Sequence, residues 1–347
     1  MERLAEFFID RAERGQVPDW IIRRGIRSLC RRRLREETAA QASLLEARRE
    51  FIRQMDGSPV APVPDMANRQ HYEVPSEFFG LVLGTHRKYS CCHWENGVED
   101  LDQAEESSLE LTCRRAGLKD GMRVLELGCG WGSLTLWMAE HFPKSSITAV
   151  SNSHSQREYI QSQADRRGLA NLKIVTADMN EFSADSRYDR VISVEMFEHM
   201  RNYRLLMKRI AGWLVPKGRL FIHIFCHRQF AYEFSVRGAD DWMGRYFFTG
   251  GIMPSDDLPE YFQEDLMLVE RWRWSGKHYA KTADSWLRNL DVKQQRVLPV
   301  LERIYGASEA FRWWMRWRIF FMACSELFGF DDGQQWWVSH YLFEKEA

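Results

Sequence analysis

From Arg123 onward, five short β-branched or apolar runs alternate with helical stretches, and this alternation constrains the fold more than any other feature. The runs are Arg123–Leu127, Ile147–Ser151, Leu172–Ala177, Arg190–Glu195 and Arg219–Phe225, separated by helical periods near 133–142, 155–168 and 203–214. Such a pattern predicts an α/β domain built on a doubly wound parallel sheet with helices on both faces. Leu266–Trp274 and Trp336–Phe343 read as later strands of the same sheet. The stretches 226–262 and 280–330 read as insertions that cap the sheet's carboxyl edge, where open α/β sheets bind ligands.

The first strand runs directly into Gly128-Cys-Gly130-Trp-Gly132, which opens a helix. Glycines there let the backbone turn sharply and approach a ligand, while the helix N-terminus offers unpaired N–H groups. The dinucleotide fingerprint G-x-G-x-x-G fails, because Ser133 stands at the third glycine position. The form is instead acidic-x-G-x-G-x-G with Glu126 as the acid, which resembles class I methyltransferases that use S-adenosylmethionine (SAM). The methionine ammonium would then need a carboxylate or carbonyl, a place Glu126 can fill. Asp178, ending the third strand beside Met179, could accept from the adenine amino group. No acid ends the second strand, so Asn152 or Gln156 would serve the ribose hydroxyls.

Strand four ends in Val194-Glu-Met-Phe-Glu-His-Met200. Glu195, Glu198 and His199 stand at i, i+3 and i+4, so a helical turn there would put all three on one face. Two carboxylates and an imidazole beside a sulfonium suit methyl transfer to an amine. A carboxylate holds the ammonium, and a histidine with an ordinary pKa of about 6.5 takes the proton. Two neighbouring carboxylates would also push one pKa upward. No metal is expected, since the histidine spacing of H-E-x-x-H and of its inverted form is missing.

At this point the sequence resembles the plant coclaurine N-methyltransferases and their pavine and tetrahydroprotoberberine relatives. The segments HYEVPSEFFGLVLG (71–84), KYSCCHW (88–94), LELGCGWGSLTLW (125–137), SVEMFEHM (193–200), RYFFTGGIMPS (245–255) and ELFGFDDGQQWWVSHYLF (326–343) carry the likeness. It implies a Rossmann-like SAM-dependent N-methyltransferase acting on a benzylisoquinoline-type or other aromatic amine. Glu195, Glu198 and His199 would be catalytic, and Tyr89 and Ser90 would line the SAM site. Tyr72 and Glu73 would belong to a lid over the amine, with His223, Tyr279, Phe321 and Phe328 also meeting substrate. Residues 68–120 would form the lid and cofactor-covering segment, and 121–347 the methyltransferase domain.

Cyclopropane-fatty-acid-phospholipid synthases share much of this frame, and a lipid methyltransferase of that kind is the alternative. Their bicarbonate ligands would match Cys91, Glu198, His223 and Tyr279, with a backbone contact at Phe225. They carry glycine where this chain has Glu195, leaving room for bicarbonate. Alkene methylation makes a carbocation that needs a base, whereas an amine arrives as a cation that needs a counter-charge. Glu195 therefore favours the amine. A SAM-binding protein without turnover is a further, non-enzymatic alternative.

Residues 1–67 match less clearly and read as a helical extension followed by a linker. Seven arginines and no acid lie between Trp20 and Arg35, interleaved with Ile22, Ile26 and Leu29 at helical spacing. Such a helix presents a solvated basic face, or contacts anionic lipid or an acidic partner. Three prolines in residues 59–64 predict a semi-extended stretch. Lys+Arg 48 against Asp+Glu 49 leaves no field for gripping nucleic acid. Seven cysteines without a CxxC pair, a charged N-terminus without an apolar core and no long apolar run predict a cytoplasmic protein with reduced thiols. A homodimer is left open. Eight of the 14 tryptophans fall after residue 270, where they can fill the core or wall a pocket for a flat cationic amine through cation–π attraction.

Overall fold

A computed structural model describes residues 2–40, 43–63, 74–234 and 242–347. Its centre is a seven-stranded sheet ordered β3-β2-β1-β4-β5-β9-β8. The strands are β1 (Arg123–Leu127), β2 (Ser146–Ser151), β3 (Leu172–Thr176), β4 (Tyr188–Val194), β5 (Leu214–His227), β8 (Met267–Trp274) and β9 (Trp336–Glu344). β6 (Tyr232–Glu233) and β7 (Ile252–Met253) pair as a separate ribbon above it. β1 to β5 are parallel, as the alternation predicts. The sheet as a whole is mixed, because β9 runs antiparallel between β5 and β8. Val124–Leu127 and Ile147–Ser151 are buried throughout, the pattern of strands covered on both faces.

Helices Ser133–His141, His154–Arg167 and Tyr203–Trp213 are the crossovers between parallel strands. Three more, Gly276–Val292, Gln294–Tyr305 and Ala307–Phe328, fill the connection between β8 and β9 and form the cap. The basic helix Asp19–Ala40 lies against this cap rather than apart from it. Arg23 donates to Asp284 at 2.7 Å and Glu326 at 3.0 Å, and Arg27 donates to Glu326 at 2.6 Å. Buried Ile22 and Cys30 pack into the same core as Trp286, Trp317 and Phe321. Arg24, Arg31 and Arg35 stay on the exposed side. Among the described residues no helix is long and apolar enough to cross a membrane.

The proline-containing stretch after helix Leu44–Asp56 is fastened over the carboxyl edge of the sheet. Asn180 clasps Ala61 through its side-chain oxygen and nitrogen at 2.9 and 2.8 Å, and Arg201 N–H donates to the Val60 carbonyl at 2.7 Å. Asn202 Nδ2 donates to the carbonyls of Asp56 and Ser58. Irregular backbone of turns and bends, with few donors of its own, is thus held by side chains from the sheet's far loops. Sequence spacing could not show those partners.

Candidate active site

β1 delivers the glycine loop to the carboxyl edge. Gly128, Gly130 and Gly132 have φ of +77°, +52° and +77°, which L side chains rarely adopt. A Cβ on Gly128 would strike Met196, and one on Gly132 would strike Ile160, whereas one on Gly130 would meet nothing within 4 Å among the described residues. The first and last glycines therefore seat the loop against neighbouring elements. The middle one faces the cleft.

Two lobes of ≈ 70 and ≈ 80 Å³ flank the loop, sharing Gly128, Gly130 and Glu195. Asn152, Gln156, Asp178 and Met179 line one, together with Ala61 and Val63 of the fastened stretch. Glu126, Tyr89 and Ser90 line the other, with Lys88. The structure thus brings together the residues assigned to SAM from the sequence except Gly132, which packs against Ile160 and lines neither lobe. Ser151 Oγ donates to Gln156 Oε1 at 2.6 Å, while the buried Gln156 Nε2 has no partner among the described residues. Thr135 donates to Glu126 Oε2, but burial outweighs this bond and pushes the Glu126 carboxyl up to about 8.

A larger cavity of ≈ 260 Å³ meets the first lobe at Glu195 and His199. Its rings include Tyr89, Phe225, Tyr232, Phe248, Tyr279, Trp286, Phe320 and Phe328. Ile26, Leu29, Cys30, Arg32, Arg33 and Glu36 of the basic helix complete the wall. Their spacing is legible in the sequence, but what they cover is not. The Tyr279 and Phe328 rings stack at 4.2 Å. Phe321, expected at the substrate, is instead fully buried against Trp286 and Trp317. Adjacent helical residues lie about 100° apart, so Phe320, Ala323, Cys324 and Leu327 make the lining stripe. Among the described residues Trp286 is the one tryptophan on the cavity wall, and the tryptophan surplus goes mainly to the core. Tyr72 and Glu73 lie outside the described residues.

Glu195 sits where all three spaces join. It follows β4 with φ +49°, and only Phe197–His199 form a short 3₁₀ turn, so the acids do not share one helical face. The Glu195 carboxylate is anchored on three sides. Oε1 accepts from the Cys91 N–H at 2.9 Å and His223 Nε2 at 3.2 Å, and Oε2 accepts from the Tyr279 hydroxyl at 2.8 Å. His223, expected at the substrate, is wholly buried behind this carboxylate, because its position within β5 turns it under the cleft. Glu198 is buried too, its Oε1 accepting from the Phe225 N–H at 2.7 Å.

The two acids separate electrostatically. Burial works to raise Glu195, but the His223 ring, the Lys88 ammonium and the Cys91 N–H hold it below the usual carboxylate range. Burial and the neighbouring Glu195 charge push Glu198 well above that range. The two carboxyls are therefore held in opposite directions, Glu195 towards its ionised form and Glu198 towards its protonated form. Burial pushes His199 down to about 4, although Glu195 pulls the other way, so the imidazole is neutral well below the ordinary histidine value. Lys88 was not foreseen. Its buried ammonium donates to Ser90 Oγ and the Cys91 carbonyl, both at 2.6 Å.

Comparisons with known proteins identify the relatives of this chain. The family described as mycolic acid cyclopropane synthetase matches residues 63–336. (S)-Coclaurine N-methyltransferase from Thalictrum flavum subsp. glaucum is 39% identical, with 97% of this chain and 95% of that protein covered. Pavine N-methyltransferase from the same plant is 34% identical, with 97% and 96% covered. The crystal structure of coclaurine N-methyltransferase bound to N-methylheliamine and SAH superposes with a TM-score of 0.91 at 34% identity, covering 99% of this chain and 100% of that one.

Proposed function

The chain belongs to the coclaurine N-methyltransferase family, within the wider mycolic acid cyclopropane synthetase family, and from that premise we propose that it methylates the nitrogen of benzylisoquinoline-type amines. The protein is a SAM-dependent N-methyltransferase. The residues of the cleft fit SAM: a buried amide at Gln156 without a partner among the described residues, a buried carboxyl at Glu126 and a glycine whose missing Cβ leaves space. When bound, SAM supplies an electrophilic methyl group on a sulfonium. Glu126 would hold the ligand's ammonium, Gln156 and Asn152 its ribose, and Asp178 and Met179 its base.

The observation that carries the amine assignment is the anchoring of Glu195. Cys91, His223 and Tyr279, which correspond to bicarbonate ligands in the synthases, are all engaged with the Glu195 carboxylate here. The anion is thus built into the chain, and it faces the aromatic cavity. Glu195 would attract and orient the cationic amine among rings that favour a cation by about 0.5–2 kcal/mol. Neutral His199, on the same wall, would accept the proton that frees the nitrogen lone pair. Glu198 would act from beneath, fixing the Phe225 backbone.

Purified protein with SAM and a panel of benzylisoquinolines, phenethylamines and simple aliphatic amines tests this reading. SAH should form fastest with the benzylisoquinolines. If no amine turns over while unsaturated phospholipid vesicles gain one methylene in a bicarbonate-dependent reaction, the lipid alternative holds instead.

Glu126 adds a pH dependence. A cation placed beside it lowers its pKa, so SAM binding below pH 8 releases a proton. Affinity should then weaken as pH falls from 8, by up to about tenfold per unit. It should also weaken above 8, as the ligand's own α-amino group (about 7.7–8.0) loses its charge. Calorimetric titrations at pH 6.5–9 should give a maximum near 8 whose acid side disappears in Glu126→Gln; a flat profile would refute the assignment.

A further inference from the structure

Behind Glu195, a line of hydrogen bonds leads away from both cavities. His223 Nε2 is 3.2 Å from Glu195 Oε1, His223 Nδ1 is 2.9 Å from His340 Nε2, and His340 Nδ1 is 2.9 Å from Arg115 Nη1. The two histidines are direct cross-strand partners on antiparallel β5 and β9, and both are wholly buried. Arg115 is the last residue of helix Leu101–Arg115, half-buried over the rings of Trp272 and Trp274. None of these three residues was tied to Glu195 by sequence spacing.

A guanidinium only donates, and a neutral imidazole donates from one nitrogen and accepts at the other. Arg115 therefore requires His340 Nδ1 to accept, which places the His340 proton on Nε2. That proton points at His223 Nδ1, which must accept in turn. The His223 proton then lies on Nε2, aimed at Glu195 Oε1. Both ends of the line demand the same polarity, a cationic donor outside and an anionic acceptor inside.

We propose that Arg115 is a remote positioning residue that acts through the ordered tautomers of His340 and His223 to keep Glu195 ionised and fixed beside the amine. In effect Arg115 and Glu195 form an ion pair relayed by two neutral imidazoles. Burial pushes His223 down to about 4 and His340 well below its usual value, so neither carries a charge of its own at pH 7. Charged and titratable groups also face Glu195 from the other packed elements. Lys88, Cys91 and Cys92 precede helix Leu101–Arg115, Glu198 and His199 lie in the 3₁₀ turn, and Tyr279 and Cys324 belong to the cap. Lys88 and His93 add to the field on His340. Of these groups, Arg115 is the one that dictates a tautomer by contact with a ring nitrogen of the line.

The proposal rests on Glu195 being the anion that faces the amine, and two measurements separate the two ideas. Long-range ¹H–¹⁵N spectra of the wild-type protein should show His223 and His340 both protonated at Nε2 only. A proton on Nδ1 of either ring overturns the relay whatever the activity. In the second, Arg115→Met should move the acid limb of kcat upward by about one pH unit relative to wild type with the same amine. Turnover should be near wild type at pH 9, and Arg115→Lys should restore part of the shift. An unmoved limb accompanied only by a lower Tm would make Arg115 merely structural. If Glu195→Gln retains full activity while the tautomers are as stated, the reading of Glu195 fails and the relay stands.

Discussion

Glu195→Gln should lower kcat on the best amine by about 10²–10⁴-fold, the range for a lost charge partner or general base, while SAM still binds. The substitution keeps shape and removes charge. A glutamine oxygen can still accept from the Cys91 N–H, so the anchoring is weakened rather than abolished. What disappears is the one ionised carboxylate common to the cofactor lobes and the aromatic cavity. Glu198 beneath it cannot substitute, since it is fully buried, held towards its protonated form and committed to the Phe225 N–H. Steady-state kinetics paired with SAM calorimetry decide the matter, and wild-type turnover in the variant would remove Glu195 from the mechanism. Glu195→Gly is an informative companion. Glycine adopts the observed φ of +49° without strain, and its loss of activity should be partly reversed by added bicarbonate or formate, which can enter among the three freed donors.

Gly132→Ala should be the most damaging small change in the glycine loop, and its damage should be to folding. The new Cβ would stand 2.6 Å from Ile160 Cγ1 at a φ of +77°. Left-handed strain of about 1–2 kcal/mol and overpacking of about 1–3 kcal/mol together predict a loss of ~2–5 kcal/mol. Gly130→Ala carries the strain without the collision, because among the described residues nothing lies within 4 Å of its Cβ. It should therefore fold with a smaller loss and bind SAM poorly, as the Cβ projects where the cofactor backbone would pass. Thermal melts and calorimetry on both variants test the contrast. Equal stability of the two would contradict the packing argument.

The parallel half of the sheet is readable in the sequence because each strand there is an uninterrupted apolar run bounded by helical periods, as in Arg123–Leu127 and Ile147–Ser151. The antiparallel insertion of β9 was not readable, since a strand's direction depends on what precedes it in space. For the site, spacing placed Glu195, Glu198 and His199 together but assumed a helix. The left-handed turn at Glu195 gives one carboxylate to the cavity and sends the other into the core. Phe320 and Phe321 show the same limit, because neighbouring rings on a helix face different surroundings and only the packed neighbour tells which. His340 was invisible as a functional residue, being an isolated histidine in an apolar strand more than a hundred positions from its partner.

The basic helix that helps wall the aromatic cavity belongs to the first forty residues, and the residues proposed for the chemistry belong to the middle of the chain. Part of the fit is therefore written in a stretch of the gene apart from the residues proposed for turnover. After a duplication, one copy can drift at Ile26, Leu29 and Cys30 and come to accept a different amine while its chemistry stays under purifying selection. The same separation favours chimeras, in which the opening helix of one paralogue is joined to the catalytic body of another, as a route to new substrate ranges.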